Sequence, residues 1–169
     1  MQPQDGLHSP LADASSAVLD TNVVLALYWF QDPRLEHLAQ ALQTGQLRWL
    51  ATCEMRQELV HVLDRSHGEH GARGLRRGGL EAGPSVQDVL EMFDRLAVQV
   101  TVWPVGPTPR CTDGADQKFI DLALSRRAHW LLSRDRAVLK LRRKLQAITG
   151  CRVQRPEDWP GQCAGEPQG

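Results

Sequence analysis

Short apolar runs that stop at polar residues alternate along this chain with longer segments whose apolar residues recur at helical spacing. Val18-Leu19 stops at Asp20, and the run from Trp130 to Leu132 stops at Ser133 in the same way. Runs of this kind predict buried strands, and the helical spacing predicts helices between them. Strands that alternate with helices pair in parallel through right-handed crossovers. The pattern therefore predicts an α/β fold, a three-layer α/β/α sandwich around a central parallel sheet of about five strands.

Start and stop signals set the predicted bounds of these elements. Asp32 followed by Pro33 is typical of a helix start, and Gly45 is a stop signal for that helix. Ser85 and Asp88 have the spacing of a capping box at the start of a later helix. The predicted strands are 18–19, 48–51, 98–103, 130–132 and 151–153, and the predicted helices are 22–30, 33–44, 53–64, 85–96, 116–126 and 137–145.

The segments without periodicity divide the chain. Residues 1–16 contain prolines, a glycine and small polar residues, which predicts a flexible leader, and residues 160–169 are predicted to be a flexible tail. The length between them, residues 17–159, fits one domain. Residues 65–84 are rich in glycine and arginine and are predicted to form a mobile loop or hairpin between helices.

The balance of positive and negative residues conceals an asymmetry along the chain. Residues 1–64 contain eight acids and three bases, whereas residues 121–155 contain ten Lys or Arg and two acids. Such a separation is compatible with a metal site joined to a surface for polyanions, and equally with a solvated dipole.

The four cysteines are widely spread and form no CxxC pair, which favours reduced thiols over a disulfide framework. Residues 1–16 have no Lys or Arg and no sustained apolar core, so they do not resemble a secretory signal. The longest apolar stretch, residues 18–30, is shorter than the roughly 20 residues that span a bilayer. We therefore expect a cytoplasmic protein without a membrane segment.

Acidic residues recur at the places where strands end and helices start. Asp20 and Asp135 follow predicted strands, and Asp116 and Glu58 lie near the starts of predicted helices. Strand ends and the following helix starts lie at the same edge of a parallel sheet, so these carboxylates can converge there. Glu54 and Asp113, each about one turn earlier, could substitute for Glu58 and Asp116. Each acid alone could instead be an ordinary helix cap or a solvated helix residue.

Four carboxylates in one place would repel one another and raise their pKa values unless a cation were present. Oxygen ligands suit Mg²⁺ or Mn²⁺, and no Cys/His set competes for zinc. The chemistry that fits such a cluster is phosphodiester hydrolysis, in which metal ions lower the pKa of a bound water and neutralise the leaving oxygen.

These residues occur in motifs that strongly resemble the PIN domain, over about residues 17–159. The segments that carry the resemblance are Val18-Leu19-Asp20-Thr21-Asn22-Val23, Glu58-Leu59-Val60-His61-Val62-Leu63, Asp116-Gln117-Lys118-Phe119-Ile120-Asp121-Leu122-Ala123, Trp130-Leu131-Leu132-Ser133-Arg134-Asp135 and Val153-Gln154-Arg155-Pro156-Glu157-Asp158-Trp159. The branch that it resembles contains the toxins of bacterial and archaeal toxin–antitoxin pairs, related to VapC-type toxins.

The resemblance implies metal-dependent cleavage of RNA, a separately encoded antitoxin as partner, and a homodimer. The residues that it implies as catalytic and metal-binding are Asp20, Glu58, Asp116 and Asp135. It also implies that Asn22 positions water or a ligand, and that Ser133, where the family usually has Thr, holds the loop or a metal-bound water. The loop 65–84 is longer and richer in glycine than this branch leads us to expect.

The basic segment after Ser125 suggests how RNA would bind. Arg134 and Arg136 flank Asp135, and Lys140 follows one turn later, so these three are candidate phosphate contacts. On one continuous helix Arg142 and Arg143 would point away from Lys140 and be simply solvated. Most tryptophans fall within strand or helix patterns and are predicted to lie in the core: Trp29, Trp49, Trp103 and Trp130.

Two other functions remain open from the sequence. A haloacid-dehalogenase-like phosphatase also starts with an Asp after its first strand, but it needs a second Asp where this chain has Asn22. A non-catalytic interaction or RNA-binding module could keep the fold without turnover. The presence of all four acids favours the nuclease.

Overall fold

The computed structural model describes residues 14–71, 83–103 and 105–161 of the 169-residue chain. The described strands are β1 Ser15–Leu19, β2 Leu47–Ala51, β3 Ala97–Gln99, β4 Trp130–Leu132 and β5 Arg152–Gln154. The described α-helices are α1 Thr21–Val24, α2 Glu36–Gln43, α3 Cys53–Gly71, α4 Val86–Leu96, α5 Gln117–Ser125, α6 Arg136–Leu139 and α7 Arg142–Thr149. A π-helix spans Leu25–Trp29, and three-residue 3₁₀ turns span Pro33–Leu35, Gly114–Asp116 and Pro156–Asp158.

The five strands form one sheet in the order β3-β2-β1-β4-β5, and all the neighbouring strands are parallel. The predicted α/β sandwich is confirmed. The connections from β1 to β2 and from β2 to β3 run toward one edge of the sheet. The connections from β3 to β4 and from β4 to β5 run toward the other edge. Because right-handed crossovers are the rule, α1 to α4 cover one face and α5 to α7 the other. The strand order reverses between β1 and β4, which is where open α/β sheets bind ligands.

Apolar residues fill both faces of the two central strands. Residues 17–19 of β1 and 130–132 of β4 are buried, and α5 packs on both strands. On the opposite face Trp49 lies between two aromatic rings, with the Tyr28 centroid at 6.3 Å and the Phe93 centroid at 4.8 Å. The core therefore holds the carboxyl ends of β1 and β4 in a fixed register.

Local signals bounded several elements as expected. Asp32 caps the turn that leads into α2, and Gly45 follows α2 with φ at 75°. Ser85 and Asp88 form the predicted capping box of α4. Thr52 accepts a hydrogen bond from Met55 N at 3.3 Å and so starts α3.

The predicted helix 22–30 contains two kinds of helix. After α1 the backbone widens into the π-helix, in which Phe30 N donates to Leu25 O at 2.8 Å. The wider turn lets four successive residues, 25–28, all be buried. Apolar periodicity alone does not distinguish this arrangement from an ordinary α-helix.

Other bounds differ from the prediction for identifiable reasons. β1 begins at Ser15, so its two serines belong to the strand rather than to the predicted leader. α3 continues beyond its predicted end at Asp64 to Gly71, because the hydrogen bonds of a helix form along the backbone and do not require an apolar stripe. Part of the predicted loop 65–84 is therefore helical, and residues 72–82 lie outside the described residues. The rest of the leader and nearly all of the predicted tail lie outside them as well.

The third strand is shorter than predicted. It ends at Gln99 because β3 is an edge strand that pairs with β2 alone. The apolar run beyond it is not buried, and Trp103 is 59% exposed, with the Arg126 guanidinium 5.8 Å from its ring centroid. The prediction that Trp103 lies in the core was wrong, whereas Trp49 and Trp130 are buried.

The predicted basic helix 137–145 is two helices. The chain turns at Lys140 and Leu141, where Leu141 is buried and Lys140 stays exposed. This break changes which basic side chains share a surface.

Cys53, Cys111 and Cys151 are free thiols. None of the described helices combines the length and apolarity needed to cross a membrane.

Candidate metal centre

Asp20 lies at the carboxyl end of β1 with a side chain that is almost fully buried. Its Oδ1 accepts a hydrogen bond from Val23 N at 2.9 Å and so caps α1. The Ser133 hydroxyl and the backbone N–H groups of Asn22 and Arg134 also donate to it. Burial nevertheless raises the pKa of Asp20 above its usual value. Asp20 is therefore a helix cap and, at the same time, a carboxylate at the topological switch point.

Asp135 occupies the corresponding place after β4. Its Oδ1 accepts from Ala137 N at 2.6 Å and caps α6. Its own N–H donates to Ser133 Oγ at 3.0 Å. Ser133 is completely buried, and because its hydroxyl also donates to Asp20, it joins the ends of the two central strands.

The third part of the site is the 3₁₀ turn Gly114–Asp116, which directly precedes α5. Asp113 Oδ1 accepts from Ala115 N at 2.9 Å and caps this turn. Asp116 ends the turn without capping a helix. Its Oδ2 is buried and has no hydrogen-bond partner among the described residues. An orphaned carboxylate oxygen of this kind is expected where a cation binds.

These carboxylates converge. Asp113, Asp116 and Asp135 each place one oxygen within 4.8 Å of the others. The pKa of Asp116 is raised to about 6, first by burial and then by the charges of Asp135, Asp113, Asp20 and Glu58. Asp113 therefore accompanies Asp116 rather than replacing it, and all five acids lie within one electrostatic field.

Glu58 and Glu54 differ in their surroundings. Glu58 is half-buried on α3, and its Oε2 lies 2.5 Å from Lys118 Nζ. Glu54 is exposed one turn earlier. Of this pair, Glu58 is the residue whose charge contributes to the raised pKa of Asp116. Asn22 lies on α1 directly after Asp20 with an exposed side chain.

The donor set fits a hard divalent cation. Every candidate ligand is a carboxylate oxygen, and Asp116 presents one that is buried and unpartnered among the described residues. Burial raises the pKa of the nearby Cys111 thiol, and the charges of Asp116, Asp113 and Asp135 raise it further. Cys111 therefore remains a neutral thiol, and the carboxylate oxygens of the cluster are the ligand type that hard divalent cations prefer.

Arg134 does not have the position predicted for a phosphate contact. Its Nη2 lies 2.9 Å from Asp32 Oδ2 and 2.6 Å from Glu157 Oε1. Sequence reasoning missed these partners because they are 102 and 23 positions away. Arg134 thus joins the turn before α2 to the turn after β5, and its charge is already compensated.

Arg136 and Lys140, the other two predicted contacts, line a groove of about 470 Å³ beside the site. The groove is lined by Arg136, Leu139, Lys140, Arg142 and Arg143. The expectation that Arg142 and Arg143 point away from Lys140 was wrong, because the break between α6 and α7 reorients them.

Lys118 is the residue of this site that sequence reasoning missed. The signal was present, because Lys118 lies two residues after Asp116 in the first turn of α5. Its pairing with Glu58, 60 positions earlier, is set by the packing of α3 and has no local signature.

A comparison with models of protein families matches residues 16–137 to the PIN domain. The matched segment contains all five clustered acids, together with Lys118 and Ser133. Searches of curated proteins and of solved structures each find no match.

The Ser133 hydroxyl can be tested by paired substitutions. Ser133→Ala removes the hydroxyl that serves both Asp20 and the Asp135 N–H, so we expect a loss of about 1–3 kcal/mol in the free energy of unfolding. Ser133→Thr keeps the hydroxyl and should lose clearly less. Urea denaturation of both variants measures the difference. Equal losses would show that the hydroxyl bonds do not hold the strand ends.

The raised pKa of Asp116 predicts a pH-dependent stability in the absence of metal. Between pH 4 and 6 the folded protein keeps a proton that the unfolded chain releases, so this group lowers stability as pH rises through that range. Asp116→Asn removes the effect. The free energy of unfolding of the variant, relative to that of the wild type, should therefore be larger at pH 7 than at pH 4.5. Urea denaturation in EDTA at both pH values measures this gain.

Asp32→Asn is the matched control for that experiment. The hydrogen bonds that Asp32 accepts from Arg34 and Arg134 hold its pKa below the usual value. The contribution of this carboxylate to the free energy of unfolding is therefore fully present across pH 4.5 to 7. The loss in Asp32→Asn should therefore be the same at both pH values. A stability difference for Asp116→Asn that does not change with pH would contradict the assignment.

Proposed function

The chain belongs to the PIN domain family, and from that premise we propose that it is a metal-dependent endoribonuclease that hydrolyses RNA phosphodiester bonds. The observation that carries the proposal is the convergence of carboxylates around the buried, unpartnered oxygen of Asp116 at the switch point of the sheet. Carboxylates this close together repel one another unless a cation binds between them.

The chain's own hydrogen bonds orient the proposed ligands. Asp113 and Asp135 each use Oδ1 to cap the start of a helical turn, which fixes the direction of the second oxygen. Asp116 makes no cap and directs Oδ2 into the cluster. These three residues would hold Mg²⁺ or Mn²⁺. The charge of Asp20 acts on the same site, because it contributes to the raised pKa of Asp116. When bound, such an ion lowers the pKa of a coordinated water and neutralises charge on the leaving oxygen.

Asp20 and Ser133 have a positioning part in this proposal. Asp20 is almost completely buried and accepts several N–H and O–H donors, so its carboxylate is held in one orientation. Ser133 connects it to the backbone of Asp135. Together they keep the ends of β1 and β4 at the separation that the ligand set requires.

The groove beside Asp135 supports a nucleic-acid substrate. Arg136 directly follows Asp135, and the groove that it lines is formed by four cationic residues and one leucine. Cationic side chains along a groove bind a phosphate backbone by releasing counterions. We assign RNA contacts to Arg136 and Lys140, and we withdraw Arg134, whose charge is used within the fold.

The resemblance to toxins adds a biological role to the proposal, namely RNA cleavage that a separately encoded antitoxin restrains. A homodimer belongs to the same set of predictions. Both rest on the sequence resemblance alone.

The nuclease activity can be tested with circular single-stranded RNA, which only an endonuclease can open, in the presence of Mn²⁺. The wild type should linearise it, and EDTA should abolish cleavage. Asp116→Asn should reduce the rate by more than about 100-fold because it removes a proposed ligand. Asp116 makes no cap, so the loss cannot be attributed to a disrupted helix start.

Asp121→Asn provides the matched control, because Asp121 lies on α5 but bonds to Gln117 outside the cluster. Its rate should remain near that of the wild type. Cleavage by Asp116→Asn at the wild-type rate would refute the nuclease proposal. An inactive wild type that still bound RNA would favour a non-catalytic RNA-binding module.

The groove can be tested by comparing two lysines one turn apart in sequence. Lys140 lines the groove and Lys144 does not. In an Asp116→Asn background, Lys140→Gln should weaken binding of single-stranded RNA and reduce the slope of log K against log salt by about 0.7. Lys144→Gln should leave both unchanged. Fluorescence anisotropy at several salt concentrations measures this, and equal losses in the two variants would contradict binding in the groove.

A further inference from the structure

Lys118 is held beside the acidic cluster by three contacts. Its Nζ lies 2.5 Å from Glu58 Oε2, donates to Ala115 O at 2.7 Å, and lies 5.2 Å from the centroid of the Phe119 ring. Its side chain is only 16% exposed. An ammonium group with these contacts has a fixed position and is not a solvated surface charge.

The cluster therefore has two ends that differ in charge. At the Glu58 end, the Lys118 ammonium lies at ion-pair distance from Oε2, although this oxygen, like Asp116 Oδ2, has no aligned hydrogen bond among the described residues. At the other end, Asp113, Asp116 and Asp135 place their oxygens within 4.8 Å of one another, and Asp116 Oδ2 lacks a partner among the described residues. Arg134, which directly precedes Asp135, does not compensate that end, because it pairs with Asp32 and Glu157.

We propose that Lys118 takes the place of a second metal ion, so that the centre binds one divalent cation, at the Asp113, Asp116 and Asp135 end. The inference rests on the proposed function, since it specifies the metal content of that same site. A second divalent ion at Glu58 would have to displace the Lys118 ammonium from its ion pair or lie beside it, and both arrangements are opposed by charge repulsion.

This arrangement gives Glu58 a different part from the one that the resemblance implies. Glu58 is then a positioning residue, which orients Lys118 and does not bind the metal. Lys118 in turn lies two residues from Asp116 on α5, so the same short segment delivers one proposed metal ligand and one fixed cation to the site.

The test is a count of bound ions on the full chain. Mn²⁺ is titrated at pH 7.5, bound metal is followed by calorimetry, and free Mn²⁺ is followed by electron paramagnetic resonance. The wild type should bind one ion. Lys118→Met should bind two, since Glu58 loses its counter-cation. Lys118→Met combined with Glu58→Gln should return to one, and Lys118→Arg, which keeps a cation, should bind one.

Lys144→Met is the charge-matched control, because it removes one positive charge at a residue that neither pairs with Glu58 nor lines the groove, and it should bind one ion. Circular dichroism shows whether each variant is folded, and if Lys118→Met is not, the wild type and Lys118→Arg decide the question. Two ions in the wild type would overturn the inference and leave the nuclease intact. One ion in folded Lys118→Met would do the same. No ion in the wild type would overturn the proposed function and the inference together.

Discussion

Electrostatic repulsion between carboxylates at one edge of the sheet is the constraint around which this structure is arranged. The hydrogen bonds that start helices hold the acids in place against it: Asp20 caps α1, Asp113 caps the turn before α5, and Asp135 caps α6. Asp116 has no such bond, and its burial, together with the charges of the neighbouring acids, raises its pKa to about 6. For Asp20 and Asp135, a helix cap and a proposed site residue are thus the same carboxylate, and the two interpretations do not exclude each other.

The basic residues near the site divide into two groups with different physical parts. Lys118 and Arg134 are paired with acids inside the fold, at Glu58 and at Asp32 with Glu157. The groove after Asp135 keeps its cationic side chains toward solvent. The even charge balance of the whole chain hides this division. Net charge therefore says little about the substrate of this protein, and the location of each unpaired cation says more.

The sequence predicted what depends on local patterns. Apolar runs located the strands, and the order of acids after strands and before helices located the edge at which they meet. Partner choice was out of reach, because Lys118 with Glu58 and Arg134 with Asp32 are joined by the packing of distant elements. The break at Lys140 was missed because Val138, Leu141 and Leu145 have the spacing of one apolar helix face, which gives no signal of a break. Asp113 was expected to substitute for Asp116, but a turn brings both to the cluster.

The ion pairs of Arg134 have a consequence for where this domain ends. The PIN family match stops at residue 137, and the last strand stops at Gln154. Glu157, beyond both limits, contacts the arginine that directly precedes Asp135. A chain shortened to its last strand would retain every acid near the proposed metal site and every strand, yet its Arg134 would lose one of two carboxylate partners. The fold therefore uses residues beyond its last strand, at the turn Pro156–Asp158.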